Sequence, residues 1–178
     1  NRLVKEIRSN LHLKWLRENF PKIAIVYIIR DPVDVVYSRI EQGWDVNLEQ
    51  IINQKELVSL HLRPFISEIQ SASSLVSKHA FMWSIENYVS LKEMKVKDIT
   101  LVEYEKLGQL KYVRNIFSKL GMEDIPNKSI LSISSFTRGR GALKNNKEKF
   151  RQEYESEITR ISSLFNIEAL MKKFISND

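Results

Sequence analysis

Two stretches of this sequence carry side chains suited to holding an anion. In the first, an apolar run from Ile23 to Ile29 stops at Arg30; Asp31 and Pro32 follow, and Ser38 stands eight positions after the arginine. A guanidinium presents forked donors that match phosphate or sulfate oxygens. Asp31 is suited to cap a helix with Pro32 at its first position, where a missing N–H costs nothing. A helix N-terminus directly after a cation favours a bound anion. The hydroxyl of Ser38 falls about two turns along that helix. The second stretch, Thr137 to Asn146, reads TRGRGALKNN. Glycines alternating with arginines let backbone N–H groups turn toward an anion while the arginines supply charge.

The chemistry that is missing narrows the choice. The chain of 178 residues has no cysteine, which removes disulfides, thiolate metal sites and cysteine nucleophiles. Its three histidines, His12, His61 and His79, have no paired metal-ligand spacing, so no metal is expected. There is no phosphate loop of the GxxxxGK[ST] type. No apolar run approaches the ~20 residues of a membrane span, and nothing at the start reads as a signal peptide. With the lack of cysteine, this makes the cytoplasm the expected compartment.

Net charge is +6 and unevenly placed. Residues 1–22 hold six basic groups against Glu6 and Glu18, and residues 138–151 hold six against Glu148. Two basic segments on a mildly acidic body point to an anionic partner with a defined site.

These side chains need elements to position them. The run before Arg30 is β-branched and aromatic, and reads as a strand buried on both faces of a parallel sheet. Val33, Val35, Val36 and Ile40 give the following helix an apolar side, and Gly43 and Trp44 end the pattern. Leu3 to Ile7 reads as a short strand, and a helix capped by Ser9 or Asn10 runs to about Asn19. Strand, helix, strand is a βαβ order with a right-handed crossover. Residues 48–94 have helical spacing, with Pro64 starting a new helix and Ser71 to Ser77 either a loop or a weak helix. Ile99 to Glu103 is a further strand, ending at Tyr104. Val113, Ile116, Phe117 and Leu120 share a helical face, with Gly121 as its cap. Glu148 to Phe174 is helical, with Phe150, Tyr154, Ile158, Ile161 and Phe165 on one side and a break at Asn166. The whole reads as one domain, 1–178: a helix-rich α/β fold with a parallel sheet.

The string Arg30, Asp31, Pro32, Asp34, Val35, Val36, Ser38 resembles the 3′-phosphate-binding segment of sulfotransferases that use PAPS (3′-phosphoadenosine 5′-phosphosulfate). That resemblance implies a P-loop-like fold of three layers, α/β/α, around a parallel sheet, PAPS as donor and PAP as product, with Arg30 and Ser38 on the 3′-phosphate. Tyr104-Glu105-Lys106-Leu107 is similar to the family's Tyr-Glu-Asp-Leu, with Lys106 in place of the Asp, and implies contact of Tyr104 with the adenine part. The glycine–arginine stretch resembles the family's late Arg-Lys-Gly loop and implies cofactor binding by Arg138, Gly139 and Arg140. Lys144-Asn145 and Phe150 resemble the Lys-Asn and Phe that come after that loop in the family, although the family's Trp is replaced by Leu143. Helices matching 75–94 lie near the acceptor in the family, which implies Trp83 and Asn87 as acceptor-lining residues.

The resemblance runs from about Lys5 to the C-terminus. The family's N-terminal loop for the 5′-phosphosulfate has no counterpart, so an N-terminally incomplete domain is expected. Apolar sheet surface is then left open, and a homodimer is one way to cover it. Where cytosolic members have Lys-Thr-His, this chain has Lys5-Glu6-Ile7. By analogy with other branches, Glu6 is a candidate base and Lys5 a candidate cation for the sulfuryl group.

The implied reaction moves a sulfuryl group from PAPS to a hydroxyl or amine of a carbohydrate, lipid, peptide or small metabolite, without metal. Two alternatives stand beside it. A P-loop-type nucleotide or small-molecule kinase needs a Walker lysine and acidic magnesium ligands, and only Asp31 is suitably placed. A non-catalytic anion- or nucleic-acid-binding module needs interleaved aromatics in the basic stretch, where only Phe150 occurs.

Overall fold

The computed structural model describes residues 3–7, 9–122 and 141–175, the side chains of 141–144 excepted. Two short strands form a parallel pair: β1 (Val26–Ile29) and β2 (Thr100–Glu103), in register Val26 to Thr100 through Ile29 to Glu103. Parallel strands need a long crossover, here the helical stretch between them. Both therefore end on the same edge, Arg30 after β1 and Tyr104 after β2.

Helix α1 (Leu13–Asn19) follows a 3₁₀ turn at Asn10–His12, close to the helix expected from Ser9 or Asn10. Helix α2 (Pro32–Glu41) starts as its sequence dictates. The Asp31 carboxylate accepts from the Asp34 N–H at 3.0 Å, and Pro32 stands at the first turn. Gly43, at φ +65°, turns the chain away after it. Three short helical pieces, α3 (Leu48–Ile52), α4 (Lys55–Leu57) and α5 (Ile66–Gln70), come next. A π turn at Val58–Leu62 and a 3₁₀ turn at Arg63–Phe65, containing Pro64, separate the last two.

The central support is α6 (Leu75–Glu93), capped by Ser74, whose Oγ accepts from the Ser77 N–H at 2.9 Å. It is buried on nearly every side, which is why its apolar residues show no single stripe. Two of its buried serines are satisfied by carbonyls: Ser84 Oγ donates to that of Ala80, and Ser90 Oγ to that of Asn10. Helix α7 (Leu110–Lys119) packs on β2 and ends at Gly121, φ +66°, with the Met122 N–H returning to the Phe117 carbonyl. Helix α8 (Gly141–Leu164) crosses both α2 and α6. Its side chains Ile158, Ile161 and, just past its end, Phe165 are fully buried, and Phe165 stacks on Phe65 at 4.3 Å. Asn166, at φ +51°, makes the expected break before α9 (Ile167–Ile175).

Two expectations are corrected. Leu3–Ile7 is not a strand: it is irregular, with Leu3 98% and Val4 80% exposed. An isolated five-residue run gains nothing from an extended form unless it pairs. The sheet of the described residues therefore has two strands. Nor is β1 buried on both faces. Tyr27 and Ile29 enter the main core, but Val26 and Ile28 remain 40% and 55% exposed. On that second face α7 packs against β2, so Val102 is buried while its register partner Ile28 is open.

Candidate functional site

The strand ends and the N-terminus of α2 meet at one place. The Arg30 guanidinium lies over the Tyr104 ring at 4.8 Å, so a cation–π contact ties the ends of β1 and β2 together. One guanidinium nitrogen donates to Asp34 Oδ2 at 3.0 Å, while Nε is buried with no acceptor. The Asp31 N–H donates to Glu105 Oε1 at 2.8 Å, so the residue after Tyr104 also holds the turn into α2. A cavity of about 430 Å³ opens here, lined by Arg30, Asp31, Trp83, Glu103, Glu105 and the α8–α9 junction at Asn166. Ligands in parallel α/β sheets gather at the carboxyl ends of the strands. A larger groove of about 890 Å³ lies mainly along the start of both strands and against α7, away from Arg30, and is not where that rule puts a ligand.

Asp34 is the hub of the charges. It lies one helical turn after Arg30, which is why the two side chains meet. Its Oδ2 also accepts from Lys147 Nζ at 2.6 Å, and its Oδ1 from Arg151 at 3.0 Å. The same Arg151 nitrogen donates to Asp31 Oδ1 at 2.8 Å, bridging two carboxylates that would otherwise repel, and its other terminal nitrogen binds Glu155. Burial alone would push the Asp34 carboxyl up, but hydrogen bonds and charge from Lys147 and Arg30 hold it below the usual range. Tyr37 against Phe150, ring centres 5.3 Å apart, packs α8 on α2 below this network.

A model of the sulfotransferase domain matches residues 1–165. The chain belongs to the sulfotransferase domain family. No curated protein and no solved structure gives a significant match. Membership implies a P-loop-like α/β fold, within which the parallel β1–β2 pair and its helices are the described part.

Set in this sulfotransferase domain, the residues singled out in the sequence divide. Arg30 meets Tyr104 and lines one cavity with Trp83, while Tyr104 is not among the residues that line it. Ser38 lies one turn beyond Asp34 on α2, where its Oγ accepts from Gln42 Nε2 at 2.8 Å, and it is not among the cavity-lining residues. Asn87 is buried with its amide used at both ends: Oδ1 accepts from the Tyr27 hydroxyl at 2.8 Å and Nδ2 donates to the Trp83 carbonyl at 2.7 Å. That geometry supports a packing role, holding β1 to α6. Burial raises the pKa of the Tyr27 phenol, which keeps it a donor to Asn87. Lys5 and Glu6 stand on the exposed 3–7 segment, with Glu6 Oε1 accepting from the Ile7 N–H. Arg138, Gly139 and Arg140 lie outside the described residues, immediately before α8.

Asp34, Glu105, Lys147 and Arg151 were not predicted as site residues. Lys147, Arg151 and Glu155 recur every four residues, the spacing of one helix face, within or beside the basic stretch. Spacing alone did not say what that face meets. Among the described residues no cluster of acidic or histidine side chains is arranged to hold a metal ion, and no helix is long and apolar enough to cross a membrane.

Proposed function

We propose that this domain binds PAPS and transfers its sulfuryl group to a hydroxyl or amine of a small acceptor, on a three-layer fold of the P-loop type. The observation that carries the reading is Arg30: a part-exposed guanidinium at a strand's carboxyl end, stacked on Tyr104, beside a helix N-terminus. A phosphate oxygen suits the forked donors of a guanidinium whose side chain is still part-exposed. Arg30 and Ser38 are assigned to the 3′-phosphate, Tyr104 to the adenine side, and Arg138, Gly139 and Arg140 to closing charge around the same phosphate.

Bound PAPS supplies an activated sulfuryl group. The chain's own part is to hold the nucleotide, exclude water and accept the acceptor's proton. Trp83 lines the acceptor side of the cavity. Glu6 is the assigned proton acceptor and Lys5 the cation near the moving group, which requires the exposed 3–7 segment to dock beside β1. Sulfonation makes a product bearing one more negative charge.

Calorimetric titration with 3′,5′-ADP, 5′-AMP and ATP tests the donor site. The expected result is tighter binding of 3′,5′-ADP, with Arg30→Ala removing that preference. Equal affinity for all three would overturn the reading. A kinase would prefer ATP, and a non-catalytic basic module would follow charge alone, with steep salt dependence.

A further inference from the structure

Arg30 is not a free cation: the Asp34 carboxylate accepts from it at 3.0 Å, beside the place assigned to the 3′-phosphate. Asp31 stands one turn away at the cap of the same helix. Among the described residues, Arg30 alone against these two carboxylates would leave the site net negative, and like charge repels a phosphate dianion. Helix α8 supplies the charge that restores the sign. Lys147 shares Asp34 Oδ2 with Arg30, and Arg151 takes Asp34 Oδ1 and Asp31 Oδ1 together. Glu155 and Glu105 also reach this cluster, but both are exposed, and water and salt screen them.

We propose that Lys147 and Arg151 are positioning residues of the 3′-phosphate site: they cancel the charge of Asp34 and so let it aim Arg30 without repelling the ligand. This rests on the reading of Arg30 as the 3′-phosphate residue. It makes α8 part of the donor site, more than 110 residues along the chain from Arg30.

The test compares 3′,5′-ADP and 5′-AMP by calorimetry across five proteins. The unaltered chain shows the 3′-phosphate preference. Lys147→Met leaves Asp34 undercompensated and lowers that preference about tenfold, a modest effect for a unit charge at close range. Arg151→Met moves it in the same direction. Lys149→Met removes the same charge from an exposed position on the same helix and leaves the preference within about twofold. Lys147→Met combined with Asp34→Asn recovers most of the loss, because the amide keeps an acceptor oxygen for Arg30 and drops the charge. A purely structural role would give no such recovery. A folded Lys147→Met protein with full preference, or a double variant no better than the single, overturns the proposal. If the unaltered chain shows no preference, the assignment of Arg30 fails and this proposal falls with it.

Discussion

Asp31 illustrates how much one residue carries. Its carboxylate caps α2 through the Asp34 N–H and also accepts from Arg151, while its own N–H is held by Glu105. Replacing it with alanine removes the cap and one end of the Arg151 bridge. Asp31→Ala is expected to cost about 1–2 kcal/mol in urea unfolding, with Asp31→Asn, which keeps a capping oxygen, costing clearly less. An equal loss for both would show that charge, not capping, is what Asp31 contributes. The cap was legible in the sequence because it is local: Asp, then Pro, then an apolar face. The tie to Arg151 was not, because 120 positions separate the two and no periodicity links them.

At the scale of elements, β1 departs most from its sequence. Five consecutive β-branched or aromatic residues, Ile25 to Ile29, read as a strand covered on both sides. Composition reports that a strand can be buried, while neighbours decide whether it is. Here Tyr27 and Ile29 face α6 and the core, and Val26 and Ile28 face outward. Stability should follow that split. Ile29→Thr is expected to cost about 2–4 kcal/mol, and Ile28→Thr less than about 0.5 kcal/mol, since it keeps a β-branched side chain at a half-exposed position. Comparable losses in chemical denaturation would mean that Ile28 is covered in solution, as the homodimer expected from the sequence would make it. The helices fared better. The start of α2, the Gly121 cap and the Asn166 break rest on short-range capping and backbone preferences, whereas the start of α6 falls inside Ser71 to Ser77, which read as either loop or weak helix.

The whole molecule is held together by α6, and its one histidine makes the fold sensitive to acid. His79 is 1% exposed, with Nε2 3.2 Å from the Trp44 carbonyl and Nδ1 without a partner. Burial, aided by the nearby Arg39 charge, depresses its pKa, although the Trp44 carbonyl and Asp45 pull the other way. The folded state therefore takes up a proton less readily than the unfolded chain. The stability this gives is complete above about pH 6.5, the ordinary histidine value, and is lost as pH falls through the folded one. The melting temperature should stay level from pH 8 to 7 and fall between pH 6.5 and 5. His79→Gln should flatten that fall, whatever it does to the absolute value; an unchanged slope would assign the acid sensitivity to other groups. What the sequence determined by itself was local or nearly so: the start of α2, the Gly121 cap and the Asn166 break, the strands before Arg30 and Tyr104, and the family motifs around those two residues. Each is written in neighbouring residues, within reach of capping, backbone preference or a helical turn. Only the tertiary structure decided which face of β1 is covered, that Asn87 is spent on Tyr27, and that Lys147 and Arg151 converge on Asp34. Those outcomes depend on how α6 and α8 pack across the strand ends, and contact between distant segments leaves no spacing in the sequence to read.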